Sequence, residues 1–229
     1  MISVCIATFN GEKYIKEQVA SILAQIRNED EIIVSDDGSQ DKTIEEICSF
    51  NDSRIKIFHN HNHGLVSNFE NAINYTSGDI IFLSDQDDVW APNKVERCMS
   101  LMECYDLLVH NAIIIYEKER NEQKDFFTIH NSKSGYWNNL IRNSFMGCCM
   151  VFRKEVKEYI LPFPHHILWH DMWIGLMVEK YGKTIFIDDK LLYYRRHNDN
   201  VSPTSEKSSF SRWIQIKYRL QMLWYTLLR

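Results

Sequence analysis

Ile80-Ile81-Phe82-Leu83-Ser84-Asp85-Gln86-Asp87-Asp88-Val89-Trp90 is the stretch on which the reading of this chain turns. An apolar run of strand length stops at three carboxylates, two of them spaced Asp-x-Asp. So apolar a strand is buried, and its end opens at the edge of a sheet. Carboxylates packed this closely repel one another unless a cation sits among them. Hard divalent ions with oxygen ligands, Mg²⁺ or Mn²⁺, suit such a cluster and are commonly shared with substrate phosphates. The strand end is therefore expected to hold a metal–diphosphate complex. Asp85, Asp87 and Asp88 equally suit a plain turn and cap before a helix, with Pro92 in its first turn. An EF-hand does not fit, because Val89 and Trp90 stand where that loop needs a ligand and then glycine.

Upstream, one pattern repeats. Ile2–Ala7 is an apolar run ending in the turn cluster Thr8-Phe9-Asn10-Gly11, and Tyr14, Ile15, Val19, Ile22, Leu23 and Ile26 follow at helical spacing. Strands are predicted over Glu31–Ser35, Arg54–His59 and Asp79–Leu83, and helices over Asp41–Phe50, Gly64–Thr76 and Pro92–Cys104. This βαβαβαβα order implies the α/β class, with a mostly parallel central sheet and helices on both faces. Such sheets bind ligands beyond the carboxyl ends of their strands, where Thr8–Gly11, Asp36–Ser39 and Asp85–Asp88 all fall.

Downstream the pattern is less regular. Asp106–Tyr116 reads as a long strand or bent pair, Lys118–Lys124 as a charged hairpin or loop, and Tyr136–Arg142 as a short helix. Gly147–Phe152 reads as a strand, Arg153–Ile160 as a helix, Pro162–His166 as a loop and His170–Tyr181 as a helix. Thr184–Ile187 and Lys190–Arg195 look like two short strands, and Ser202–Ser209 like a linker before a final helix, Phe210–Arg229. On that helix Trp213, Ile216, Leu220, Leu223, Trp224 and Leu227 share one face, opposite Arg212, Gln215, Arg219, Thr226 and Arg229. The layout suits a helix lying in a membrane interface, and equally one packed on its own domain or on a second subunit.

Bulk properties narrow the classes. At 229 residues, 45% apolar and 25% charged, the chain is one large domain, or one domain with an appendage. A net charge of −5 and a pI of about 6.0 exclude a global basic footprint for nucleic acid. Six cysteines with no CxxC pair read as buried thiols in a reducing compartment. Ile2 enters a strand with no basic n-region before it, so no signal peptide is expected. No apolar run approaches the roughly 20 residues of a membrane span.

Three segments together resemble the nucleotide-sugar half of family 2 glycosyltransferases, which have the GT-A fold: Val4–Gly11, Ser35–Thr43 and Leu83–Trp90. Trp169-His170-Asp171-Met172-Trp173 and Tyr193–Val201 are similar to later motifs of that family, in its bacterial surface-polysaccharide, rhamnosyltransferase-like branch. The resemblance implies a GT-A domain over 1–201, with a nucleotide-sugar half at 1–104 and an acceptor half at 105–201. The linker at 202–209 and an amphipathic helix at 210–229 follow. It assigns Ala7, Phe9 and Asp37 to the nucleotide, with Asp37 accepting the N3–H of a pyrimidine. Phe9 also suits plain core packing, and Asp37 an Asx-turn beside Gly38. Asp85 is implied to reach the ribose or the metal, and Asp87 and His197 the metal. Asp88 is left as a cap. Arg195 and Arg196 suit the diphosphate, or a solvated face. Asp171 is the implied base that takes the acceptor's proton, or a simple N-cap. The family more often has an acidic residue at position 170. Gly147, Trp169 and His170 fall on the acceptor side, where Trp137 and Trp173 are further candidates for stacking on sugar rings.

The expected activity is an inverting, metal-dependent glycosyl transfer from a dTDP- or UDP-linked donor. The expected acceptor is a saccharide, most simply a lipid-linked O-antigen or capsule intermediate, met at the cytoplasmic face of the plasma membrane. Two other readings remain open at this point. One is a phosphatase of the haloacid-dehalogenase type, which leaves Asp36–Ser39 without a role. The other is a non-catalytic sugar-nucleotide-binding scaffold.

Overall fold

Uninterrupted apolar runs become the central strands. The computed structural model describes residues 1–116, 124–197, 200 and 211–229. In it Ile2–Thr8 (β1), Glu31–Asp36 (β2), Ile55–His59 (β3) and Ile80–Asp85 (β4) lie parallel in the order β3-β2-β1-β4. Every residue of β1 and β2 is buried, which is why their sequences carry no polar alternation. Ile15–Leu23 (α1), Thr43–Cys48 (α2) and Leu65–Tyr75 (α3) make the connections. They turn inward the residues whose spacing marked them: Ile15, Val19 and Ile22 on α1, and Phe69, Ala72 and Ile73 on α3. Phe69 and Phe82 are fully buried, so truncating either to alanine would cost about 3–5 kcal/mol.

The second half extends the same sheet. Its elements are Val89–Trp90 (β5), Lys94–Met99 (α4), Leu107–Tyr116 (β6), Lys124–Asp125 (β7), Phe126–His130 (α5) and Tyr136–Ile141 (α6). Then come Met150–Arg153 (β8), Lys157–Ile160 (α7), His170–Tyr181 (α8), Thr184–Arg196 (β9) and Arg212–Leu228 (α9). The nine strands run in the order β3-β2-β1-β4-β8-β6-β9-β5, with β7 on β6. β8 is antiparallel to β4 and to β6, and β9 is parallel to β6. Strands β1 to β4, β6 and β9 therefore share one direction, and the sheet is mostly parallel.

Several boundaries differ from the pattern reading. Residues 184–196 form one strand, not two. His110 pairs with Ile187 but Asn111 with Lys190, so Asp188 and Asp189 bulge out of register. These two acids, which read as a gap, are held by Asn111 Nδ2 at 2.7 Å and Arg97 Nε at 2.8 Å. Gly147–Cys149 is a 3₁₀ turn, and the strand starts only at Met150. Another such turn, Lys154–Val156, precedes α7. β5 is too short to show a period, and it exists because Val89 and Trp90 pair with Tyr193 and Leu192. α5 is capped by Asp125, whose side chain accepts from Thr128 N at 2.9 Å. Helix α4 begins at Lys94, after Pro92. The readings of 118–123 as a loop and 202–209 as a linker lie outside the described residues, as does Phe210. No helix among the described residues is long and apolar enough to cross a membrane.

Candidate active site

Register brings the three turn clusters to one edge. β1 pairs Ala7 with Asp85 of β4 and Thr8 with Asp36 of β2, so all three strands end level. Gln86 then staples two of the clusters. Its Oε1 accepts from Phe9 N at 2.9 Å and its Nε2 donates to Phe9 O at 3.0 Å. Gly11 leaves room for this side chain, since a Cβ there would lie 2.3 Å from Gln86 Oε1. Gln86 is the unassigned middle residue of the Asp-x-Asp, and its role was not legible in the motif. The Phe9 ring is 53% exposed at this edge, so it is not a core residue. Asp37 accepts from Asn60 Nδ2 and Gly64 N, both at 2.8 Å, which ties β2 to the loop before α3.

The acids after β4 separate into two neighbouring groups. Asp85, Asp88 and Cys148 present ligand atoms that all lie within 4.8 Å of one another. Asp88 is fully buried; its Oδ1 accepts from Arg195 N at 3.0 Å and its Oδ2 has no hydrogen-bond partner among the described residues. It caps no helix, since α4 starts after Asn93. Burial, then the charge of Asp87, pushes the Asp85 carboxyl up to about 7, and Asp171 adds to the push. Burial and the charges of Asp87 and Asp85 raise Asp88 well above the usual carboxylate range. In the second group, Asp87 Oδ2 lies 2.8 Å from His197 Nε2 and accepts from Asn200 Nδ2 at 3.1 Å. Tyr14 stacks on the His197 ring with centroids 4.6 Å apart. The expected metal set of Asp85, Asp87 and His197 is thus spread across both groups. The orphaned, buried Asp88 oxygen beside Asp85, with the Asp87–His197 pair in the neighbouring group, offers oxygen and imidazole donors that suit a hard divalent ion such as Mn²⁺ or Mg²⁺.

The basic residues serve differently from one another. Arg195 is a brace: Nε donates to Asp87 O at 3.0 Å and Nη2 to Glu17 Oε2 at 2.6 Å. Arg196, at the end of β9, is half-buried. Lys94, unremarked in the sequence, is fully buried; its Nζ donates to Cys148 O at 2.9 Å and lies 4.3 Å from the centre of the Trp90 ring. Gln18 on α1 donates to Ser84 Oγ and, at 3.0 Å, to Asp85 O. None of these supporting side chains carries a local signal, because each is recruited from another element.

Asp171 lies in the first turn of α8, with Trp169 at the N-cap position, so it is not the cap. Its Oδ1 accepts from Met172 N at 2.7 Å and its Oδ2 from Asn143 Nδ2 at 3.3 Å. Burial, only partly offset by these bonds, raises its carboxyl to about 6. Gly147 makes room for a side chain of the protein itself: a Cβ there would lie 2.6 Å from His170 Nε2. His170 is buried, stacked on Phe69 at 4.0 Å, and its Nε2 has no hydrogen-bond partner among the described residues. Burial lowers its pKa to about 3, which keeps the ring neutral. Trp169 is half-buried beside Tyr218. Trp173 is fully buried, its Nε1 donating to Ile160 O at 2.9 Å, and it is a core residue, not a sugar platform. Trp137 is 65% exposed on α6.

With this geometry in place, comparison with known proteins is informative. The family described as Glycosyl transferase family 2 matches residues 3–161. The chain is 28% identical over 222 residues to the Escherichia coli UDP-Glc:alpha-D-GlcNAc-diphosphoundecaprenol beta-1,3-glucosyltransferase WfgD, covering 93% of this chain and 84% of that one. The structure superposes on S. aureus TarS 1–349 in complex with UDP-GlcNAc with a TM-score of 0.72 at 18% identity, over 100% of this chain and 66% of that chain. It also superposes on Mycobacterium tuberculosis glucosyl-3-phosphoglycerate synthase in complex with Mn²⁺, UDP-Glc and phosphoglyceric acid, with a TM-score of 0.65 at 18% identity, over 97% and 79%. These matches replace the phosphatase and scaffold readings: the chain belongs to glycosyl transferase family 2 and is a glycosyltransferase of the GT-A fold.

Proposed function

We propose that this enzyme moves a sugar from a UDP- or dTDP-linked donor to a saccharide acceptor, with inversion at the anomeric carbon. The observation that carries the reading is the convergence of acids at one sheet edge. Asp85 ends β4 with Asp88 in the turn after it, Asp87 lies beside His197, and Asp171 acts on the Asp85 carboxyl from α8. Ala7, the exposed Phe9 ring and Asp37 are the residues proposed for the base, with Asp37 Oδ2, which also accepts from Gly64 N at 2.8 Å, offered to an N3–H. Asp87 and His197 would hold Mn²⁺ or Mg²⁺, with Asp85 reaching the ion or the ribose. A bound ion supplies a Lewis acid that offsets the negative charge of the departing diphosphate. Arg196 is the basic residue proposed for the diphosphate, while Arg195 braces the loop that carries Asp87.

Asp171 takes the proton of the attacking hydroxyl. A carboxyl raised to about 6 changes protonation close to neutral pH, where a general base is most effective. Asn143 orients it. Among the described residues, one proposed base and no second carboxylate assigned as a nucleophile support a single displacement, hence inversion. Gly147, His170 and Trp169 form the proposed acceptor side. A UDP donor and Mn²⁺ are supported by the ligands of the two solved structures, and a lipid-linked acceptor by the diphosphoundecaprenol in the E. coli relative's name. The acceptor proposed is a lipid-linked O-antigen or capsule intermediate, met at the cytoplasmic face of the plasma membrane. Incubation with a panel of UDP- and dTDP-sugars, with Mn²⁺ or with EDTA, tests the reading through release of nucleoside diphosphate. Release from one donor, stopped by EDTA, is expected. No release from any donor would overturn the proposal, and a product of retained configuration would overturn inversion.

A further inference from the structure

We propose that the outer face of α9, with α6 beside it, docks this enzyme on an anionic lipid bilayer. This deepens the reading above, by supplying the surface on which a lipid-linked acceptor is met. A helix that serves only its own domain buries its apolar stripe. α9 does the reverse. It packs through Met222 and Thr226, both buried. The Thr226 hydroxyl bonds that of Tyr136 on α6, and Lys180 Nζ on α8 donates to Thr226 O at 2.6 Å. Leu223 packs at the edge of the core, but the rest of the apolar stripe points away from the domain: Trp213, Leu220, Trp224 and Leu227 are 82%, 61%, 59% and 64% exposed. On α6, Trp137 and Ile141 are exposed one turn apart. Large apolar residues collected on two touching helices differ from the scattered ones of an ordinary surface.

Charge identifies the partner. Residues 211–229 hold Arg212, Lys217, Arg219 and Arg229 and no acidic residue, in a chain of net charge −5. By helical spacing Lys217 borders the stripe, while Arg212, Arg219 and Arg229 fall on the other side of the helix. A second copy seated face to face would set these cations against their own mates, with no acid on either helix to pair them. Indoles in an apolar stripe, with Lys217 at its margin on a helix that carries cations and no acids, match a bilayer interface, where tryptophan lies at headgroup depth and Lys and Arg meet anionic headgroups. The position is apt as well. Tyr218 of α9 packs edge-on against Trp169, two residues before Asp171, with ring centres 6.1 Å apart. A docked α9 therefore holds the proposed acceptor side at the membrane surface.

Vesicle sedimentation of the full chain tests this, using equal parts phosphatidylglycerol and phosphatidylcholine against phosphatidylcholine alone. The wild type should pellet with the anionic vesicles and be released as salt rises. Leu220→Glu combined with Trp224→Glu changes only exposed side chains, so it should keep the melting temperature while binding at least ~10-fold more weakly. Lys217→Glu and Trp137→Glu should each weaken binding less. Deleting the helix is a poorer probe, because Met222 and Thr226 are buried in its contact with the domain. Donor hydrolysis, run in parallel, should be unchanged in the double variant, which separates docking from the transferase reading. Failure to bind anionic vesicles, equal binding to phosphatidylcholine alone, or unaltered binding by the double variant would overturn the proposal. So would a dimer that the double variant abolishes.

Discussion

Two acidic turns flank β1 at the carboxyl edge of the sheet, Asp36–Ser39 after β2 and Asp85–Asp88 after β4. In the first, donors meet the carboxylates. Asp36 accepts from Thr8 Oγ1 at 2.9 Å, Gly38 N at 3.1 Å, Ser39 N at 2.9 Å and Ser39 Oγ at 2.6 Å. In the second, Asp88 keeps an oxygen with no hydrogen-bond partner among the described residues, and burial pushes both Asp85 and Asp88 up. A buried carboxylate ringed by donors is structural; one left short of them stores an unfavourable charge that a ligand can relieve. The difference teaches that an acidic motif is not by itself a site. The site is where the protein withholds the donors.

Asp171 has a donor on each oxygen, yet burial still raises its carboxyl to about 6 as it raises the acids of the second turn, and the largest effect is expected there. Asp171→Asn should leave nucleotide affinity by calorimetry unchanged and slow transfer at least ~100-fold. Turnover near wild type would move Asp171 into the structural class with Asp36. Next, Asp87→Ala should remove the part of UDP or dTDP affinity that depends on Mn²⁺, and Asp85→Ala should weaken it. Equal affinity in wild type and Asp87→Ala, with and without Mn²⁺, would break the assignment.

The contrast between the turns can be read directly from stability. Asp36→Asn places an amide against donors and should lower metal-free stability by about 2–3 kcal/mol in urea unfolding. Asp88→Asn removes a charge that the fold does not accommodate, and should leave stability at pH 8 unchanged or higher. Similar losses in both variants would erase the distinction. The smallest effect is on pH dependence. A raised carboxyl binds its proton more tightly folded than unfolded, so the stability it lends is full below its ordinary 3.8 and lost as pH rises to about 7 for Asp85. Thermal melts of metal-free protein should show that slope, flattened in Asp85→Asn. Catalysis should run the other way, with kcat/KM falling as pH drops below about 6 and Asp171 is protonated.

Much of the first half was legible because its signals are local. Ile2–Ala7 and Ile80–Leu83 are long apolar runs, and the inward residues of α1 and α3 keep a helical period whatever they pack against. Asp85, Asp87 and Asp171 were legible as candidates, since their motifs are short. Their grouping was not. That Asp87 meets His197 while Asp85 and Asp88 meet Cys148 depends on β9 and β8 arriving from more than sixty residues away. Gln86, Lys94 and Asn143 act on partners in other elements, and nothing in their own neighbourhoods marks them.

The amino-acid pattern by itself determined the α/β alternation, the carboxyl-edge placement of the acids and the two-faced character of α9. Periodicity sets which residues share a face, and apolar content sets which segments must be buried. Only the tertiary structure decided which of two similar acids receives donors, that 184–196 is one bulged strand, and which face of α9 turns outward. Those outcomes depend on what the rest of the chain places opposite each face. Met222 and Thr226 dock between α6 and α8, and Trp213, Leu220, Trp224 and Leu227 of the apolar stripe stay exposed among the described residues.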